Sequence, residues 1–119
     1  MAEDKKFTTI NHNARDIFGL NVNEYCIADS IYHLSSKART KFWCVADKVY
    51  MGKFIGISEK QVHRIIKKLM DMKLVIKCPQ NAKLLRTTDL WADTVHITEE
   101  EANKRKGVRK IIDESLGFE

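Results

Sequence analysis

Gly56 separates two stretches of helical character, and that break constrains the fold of this chain more than any other feature. Upstream, Ala46 to Ile55 has a helical period. Downstream, Ser58-Glu59-Lys60-Gln61 has the spacing in which a capping serine and the residue three later satisfy each other's free amides. Val62, Ile65, Ile66, Leu69 and Met72 then recur at helical intervals. Two helices joined by so short a turn must meet at a steep angle. They need a small residue where they cross, a glycine that accepts a left-handed backbone in the turn, and aliphatic side chains to lock the pair. Gly52 fills the first place and Gly56 the second; Met51, Ile55, Ile57, Val62 and Ile65 fill the third.

The flanking segments place this helix-turn-helix in a larger order. Phe7-Thr8-Thr9-Ile10 is β-prone, and Asn13 is expected to cap a short helix through Ala14, Ile17 and Phe18 that Gly19 ends. Asn21-Val22-Asn23-Glu24 has the spacing for reciprocal capping. The helix behind it is expected to turn Val22, Cys26, Ile27, Ile31 and Leu34 toward a core and to end near Ser35-Ser36. Lys37 to Lys41 reads as a loop and Phe42-Trp43-Cys44 as a short strand. Leu74-Val75-Ile76 and Leu84 to Thr88 read as a hairpin turning at Pro79-Gln80-Asn81. Thr98-Glu99-Glu100-Glu101 is a further capping signal, expected to open a separate helix through Ala102, Val108, Ile111, Ile112 and Leu116 that Gly117 stops. Helix, short strand, helix, helix, hairpin is the winged-helix order. The expected fold is mainly α with a small β-hairpin wing, a winged helix-turn-helix with an added C-terminal helix. Residues 1–97 are expected to form the winged-helix domain with an N-terminal extension. Residues 98–119 form the C-terminal helix, which either belongs to that domain or serves dimerisation.

Composition narrows the function classes. At 119 residues the chain fits one domain, and 44% hydrophobic with 31% charged residues suits a soluble globular protein. No apolar run is long enough to span a bilayer, so no membrane partner is expected. Met1-Ala2-Glu3-Asp4-Lys5-Lys6 lacks a signal peptide's apolar core, which makes the cytoplasm the expected location. Cys26, Cys44 and Cys78 form neither a disulfide framework nor a zinc pair and read as small buried hydrophobes. The net charge of +5 is concentrated. Lys37, Arg39, Lys41, Lys48, Lys53, Lys60, Arg64, Lys67 and Lys68 are opposed only by Asp47 and Glu59, a local balance of about +7. Such a stretch is either a solvated face or a surface for a polyanion.

The chain resembles the winged helix-turn-helix DNA-binding domains of phage, plasmid and mobile-element proteins, among them replication initiators and transcription regulators. The resemblance runs from about Asn21 to Trp91. It rests on Asn23-Glu24-Tyr25, Phe42-Trp43-Cys44, Ile55-Gly56-Ile57-Ser58 and Leu85-Arg86-Thr87-Thr88-Asp89-Leu90-Trp91. It implies double-stranded DNA as the partner and a role in regulation or replication initiation. One position departs from the pattern: where relatives often have glycine after the second helix of the motif, this chain has Lys73-Leu74. A lysine forced to positive φ there costs about 1 kcal/mol.

With Val62, Ile65, Ile66 and Leu69 turned inward, the outer face of the second helix presents Ser58, Lys60, Gln61, His63, Arg64, Lys67 and Lys68. A major groove admits one helix, whose N-terminal half reaches base edges. Gln61 suits adenine and Arg64 suits guanine, while Lys60, Lys67 and Lys68 suit phosphates. Glu59 either supports the cap or accepts from a cytosine amino group. In the hairpin, Lys77, Lys83 and Arg86 are placed to reach a flanking phosphate or minor groove. Against this stands an adaptor reading, in which the same basic helix docks on an acidic protein. His12, His33, His63 and His96 lack metal-ligand spacing, and Trp43 and Trp91 read as core anchors. No Ser/His/Asp set, paired carboxylates or phosphate-cradling glycine loop is legible, so neither an enzyme nor a cofactor or metal site is expected. The apolar stripe of the last helix makes a homodimer the favoured assembly.

Overall fold

The computed structural model describes residues 8–35, 43–45 and 47–115, with the side chains of the last helix described as far as Ala102. Helix α1 (His12–Phe18) is capped by Asn11 rather than Asn13, its Oδ1 accepting from the Ala14 amide at 3.0 Å. The Asn11 amide donates to Thr98 Oγ1 at 2.7 Å and to the Val95 carbonyl at 3.2 Å, so one side chain starts the first helix and moors it to the last. Gly19 ends α1 at φ +70°, as expected. Thr8 to Ile10 form no strand; Phe7 lies outside the described residues.

Helix α2 (Val22–Ser35) opens with the expected reciprocal bonds, Glu24 Oε1 accepting from the Asn21 amide at 2.9 Å and Asn21 Oδ1 from the Glu24 amide at 2.8 Å. It is buried almost all round between Glu24 and Asp29, with Tyr25, Ile27, Ala28 and Ile31 in the core. Val22 does not join them and is 46% exposed, because the first residue of the helix stands beyond the layer packed on it.

Strand β1 (Cys44–Val45) leads to α3 (Lys48–Ile55), whose cap is Asp47. Gly56 follows at φ +90° and α4 (Glu59–Asp71) begins with Ser58 and Gln61 making both bonds of the expected box. An alanine Cβ at Gly52 would lie 2.7 Å from the Ile57 carbonyl oxygen and 3.5 Å from Val62 Cγ2, so the helices do cross there. Strands β2 (Val75–Lys77) and β3 (Leu84–Thr87) form the wing. The sheet has the order β1-β3-β2, all antiparallel, with Cys44 opposite Leu85 and Ile76 opposite Arg86. The loop expected at Lys37–Lys41, and Phe42 of the expected strand, lie outside the described residues.

The last helix corrects a boundary. Helix α5 (Asp89–Ser115) starts directly after the wing instead of at Thr98. Thr98 is buried within it, and its hydroxyl donates backward to the Thr94 and Val95 carbonyls because the preceding turns are already helical. At the wing end the Thr88 amide donates to the Leu74 carbonyl and its hydroxyl to the Lys73 carbonyl, tying the start of α5 to the turn between α4 and β2. The expected stop at Leu116-Gly117 lies outside the described residues.

One core joins these parts. Trp91 is 1% exposed, stacked on Phe18 (5.5 Å) and tilted against Tyr25 (4.9 Å), while Met51, Val62, Ile66 and Leu69 close the helix-turn-helix against Leu74, Val75 and Leu85. Burying a tryptophan removes about 150–250 Å² from water, worth up to about 4–6 kcal/mol at about 25 cal/mol per Å². The mainly helical winged-helix architecture expected from the sequence is thus present. Among the described residues no helix is long and apolar enough to cross a membrane.

Candidate nucleic-acid interface

The site is organised by α4. Its inward side buries Val62, Ile66 and Leu69, with Ile65 half-buried; this rotation fixes which residues look outward. Lys60, Gln61, His63, Arg64, Lys67 and Lys68 are all exposed. At about 100° per residue, Lys60, Arg64, Lys67 and Asp71 lie nearest the outermost line. Among the described residues no acid forms an ion pair with Lys60, Arg64 or Lys67; Asp71, one turn beyond Lys67, is the one acid on that line of the helix and does not bridge to them.

The remaining expected residues are engaged. Ser58 and Gln61 are bonded to each other's backbone: Gln61 Oε1 accepts from the Ser58 amide at 3.1 Å and Ser58 Oγ from the Gln61 amide at 3.2 Å. The Gln61 carbonyl is committed to the cap, which weakens the expected match of this side chain to adenine. His63 lies 3.8 Å from Glu59, one turn back. Lys68, expected to face phosphate, is held instead by Glu24 of α2, with its Nζ 2.9 and 3.0 Å from the two carboxylate oxygens. Sequence spacing could not reveal that pair, because it joins residues on different helices.

In the wing, Lys77 and Lys83 are exposed on either side of the turn. That turn is shaped by Asn81, whose side chain accepts from the Lys83 amide at 3.0 Å and whose carbonyl accepts from the Leu84 amide. Arg86 is half-buried, its guanidinium stacked 4.5 Å over the Trp43 ring, so this arginine braces the wing against the residue preceding β1. Trp43 is therefore a partner of the wing at the sheet surface, in contrast to the fully buried Trp91.

Cys26, Cys44 and Cys78 are buried and unpaired in disulfides, and burial pushes the Cys44 thiol up to about 11, with Lys48 opposing weakly. His33 meets Asp29 at 3.3 Å and His96 meets Glu100 at 3.1 Å, each one helical turn apart. Among the described residues no group of three or more His, Cys, Asp or Glu side chains could hold a metal ion.

No protein-family model and no curated protein matches this chain. The solved structures do contain its fold. The crystal structure of a multiple antibiotic-resistance repressor (MarR) from Listeria monocytogenes superposes with a TM-score of 0.59 at 17% sequence identity, covering 86% of this chain. The matched region is 66% of that repressor's own chain, just short of two thirds of its length. At that identity the likeness establishes the shared architecture, and the architecture of this chain is the winged helix.

Proposed function

We propose that this protein binds double-stranded DNA in a sequence-specific manner, with α4 in the major groove and the wing beside it, and that it acts as a transcription regulator rather than an enzyme. The observation that carries the reading is the face of α4 on which Lys60, Arg64 and Lys67 stand without acidic partners among the described residues. A side chain that needs no partner within its own protein is available to a phosphate or a guanine edge. Arg64 is the base-reading residue, and Lys60, Lys67, Lys77 and Lys83 take phosphates. The likeness to a repressor favours regulation of transcription over the replication-initiation and mobile-element roles that the phage and plasmid resemblance implies. Two copies pairing through the C-terminal helix would set two α4 helices on one duplex, with half-sites about 34–36 Å apart.

The test is fluorescence anisotropy on a randomised duplex pool across a salt series, with sequencing of the bound fraction. Four phosphate contacts per subunit predict a slope of log K against log salt of about −3.6 for one copy and about −7 for two copies on one duplex. Binding that is absent at low salt, or unchanged by salt, refutes the DNA reading and supports docking of the basic helix on an acidic protein.

A further inference from the structure

Glu24 stands at the opening of α2, yet it touches the candidate DNA-binding helix. Its carboxylate is 11% exposed, takes the Asn21 amide on Oε1 at 2.9 Å, and receives Lys68 Nζ on both oxygens. Lys68 keeps 46% of its side chain in water. The two residues line a shallow cleft between α2 and α4 that also includes Asn21, Gln61 and Arg64. One nearly buried negative charge therefore caps one helix, ties it to the next, and lies at the edge of the face on which Arg64 stands.

Those three roles do not require the same chemistry. Capping needs only an acceptor at Oε1, which a glutamine supplies equally well. Holding Lys68 needs the charge. A lysine in two charge-assisted bonds to a carboxylate has its charge already offset and one N–H left, so it contributes little to neutralising a phosphate, and a carboxylate beside the groove repels the DNA backbone on that edge. We propose that Glu24 is a specificity-determining residue of the DNA interface. It withholds Lys68 from phosphate contact and fixes the seat of α4, so that affinity depends on what Arg64 reads and less on undifferentiated charge. Lys68 is thus a positioning residue, and the negative charge of Glu24 lowers binding to non-cognate duplex. This inference rests on the DNA-binding reading above.

The experiment compares the wild type with Glu24→Gln and Lys68→Gln on the selected duplex and on random duplex, each across a salt series. In Glu24→Gln the cap acceptor remains and Lys68 is released. Random-duplex affinity is expected to rise about eightfold at 0.1 M salt, the slope to steepen by about 0.9, and the ratio of specific to random binding to fall. Lys68→Gln is expected to leave the slope on random duplex where the wild type has it. A slope shallower by about 0.9 in Lys68→Gln shows that Lys68 contacts phosphate in the presence of Glu24 and overturns the proposal. So does an unchanged slope in a folded Glu24→Gln protein. If Glu24→Gln does not fold, the exposed Lys68→Gln substitution decides alone. Wild-type protein that binds neither duplex refutes the DNA reading itself, and this inference with it.

Discussion

Replacing Gly52 with alanine tests the crossing of α3 and α4 by a single methyl group. The added carbon would lie 2.7 Å from the Ile57 carbonyl oxygen, closer than side-chain carbons are found to backbone oxygen. That oxygen belongs to the turn and is not the far end of a flexible side chain. The turn is also tied back to Gly52, whose own carbonyl accepts from the Gly56 amide at 2.8 Å and the Ile57 amide at 2.9 Å. The chain must therefore either keep the clash or shift the turn and weaken two hydrogen bonds. Overpacking of this kind costs about 1–3 kcal/mol, a drop in melting temperature of about 4–8 °C for each kcal/mol in a small domain. Gly56→Ala is the control, since a methyl there meets nothing within 4 Å and only the backbone at φ +90° opposes it, at about 1–2 kcal/mol. Differential scanning calorimetry of both variants, with duplex binding measured below both transitions, separates the two causes. Gly52→Ala is expected to lose stability and also duplex affinity, because it displaces α4; Gly56→Ala is expected to lose mainly stability. A Gly52→Ala protein that melts within about 2 °C of wild type refutes the steric argument.

Lys73 is the one described non-glycine residue at positive φ, +63°, so Lys73→Gly is expected to raise the urea midpoint by up to about 1 kcal/mol of stability, reduced by the greater freedom of glycine when unfolded. On the selected duplex Arg64→Ala is expected to cost about 1–3 kcal/mol with little effect on random duplex. Lys67→Ala should weaken both alike and make the salt slope shallower by about 0.9, as competition titrations would read. Burial raises the Cys44 thiol to about 11 from 9.0, so its stabilising contribution is complete below pH 9, declines as the pH rises, and is lost through 11; Cys44→Ala should flatten that decline in urea melts from pH 8 to 11. Light scattering at micromolar concentration is expected to give about twice 13.8 kDa, falling to the monomer mass in Ile111→Asp; a monomer mass in the wild type refutes pairing.

What could be read from the sequence was local. The Ser58–Gln61 and Asn21–Glu24 boxes, the glycine stop at 56 and the small residue at 52 each depend on neighbours a few positions away, and spacing alone exposes them. The departure at Lys73 was legible for the same reason, and it does adopt the left-handed backbone. Distant partners were not legible. Asn11 rather than Asn13 is the cap because its amide also has Thr98 to hold. Thr98 looks like a helix start only if the residues before it are not helical, and contacts through Trp91 make them so. At the interface the period of α4 named the outward residues, but it could not tell a cation with no acidic partner among the described residues, such as Arg64, from one held by another helix, as Lys68 is.

The position of Trp91 also sets the order in which the molecule can be completed during synthesis. Tyr25 and Phe18 leave the ribosome early, but the ring they pack against comes about 65 residues later, a wait of about 3–13 seconds at about 5–20 residues per second. Until then α1 and α2 expose an aromatic surface, and Asn11 lacks the threonine that secures it. The helix-turn-helix, made of neighbours in sequence, can close first and wait. Release from that vulnerable interval depends on the first turns of α5, so a chain truncated before Trp91 is a better substrate for chaperones and proteases than one that includes it.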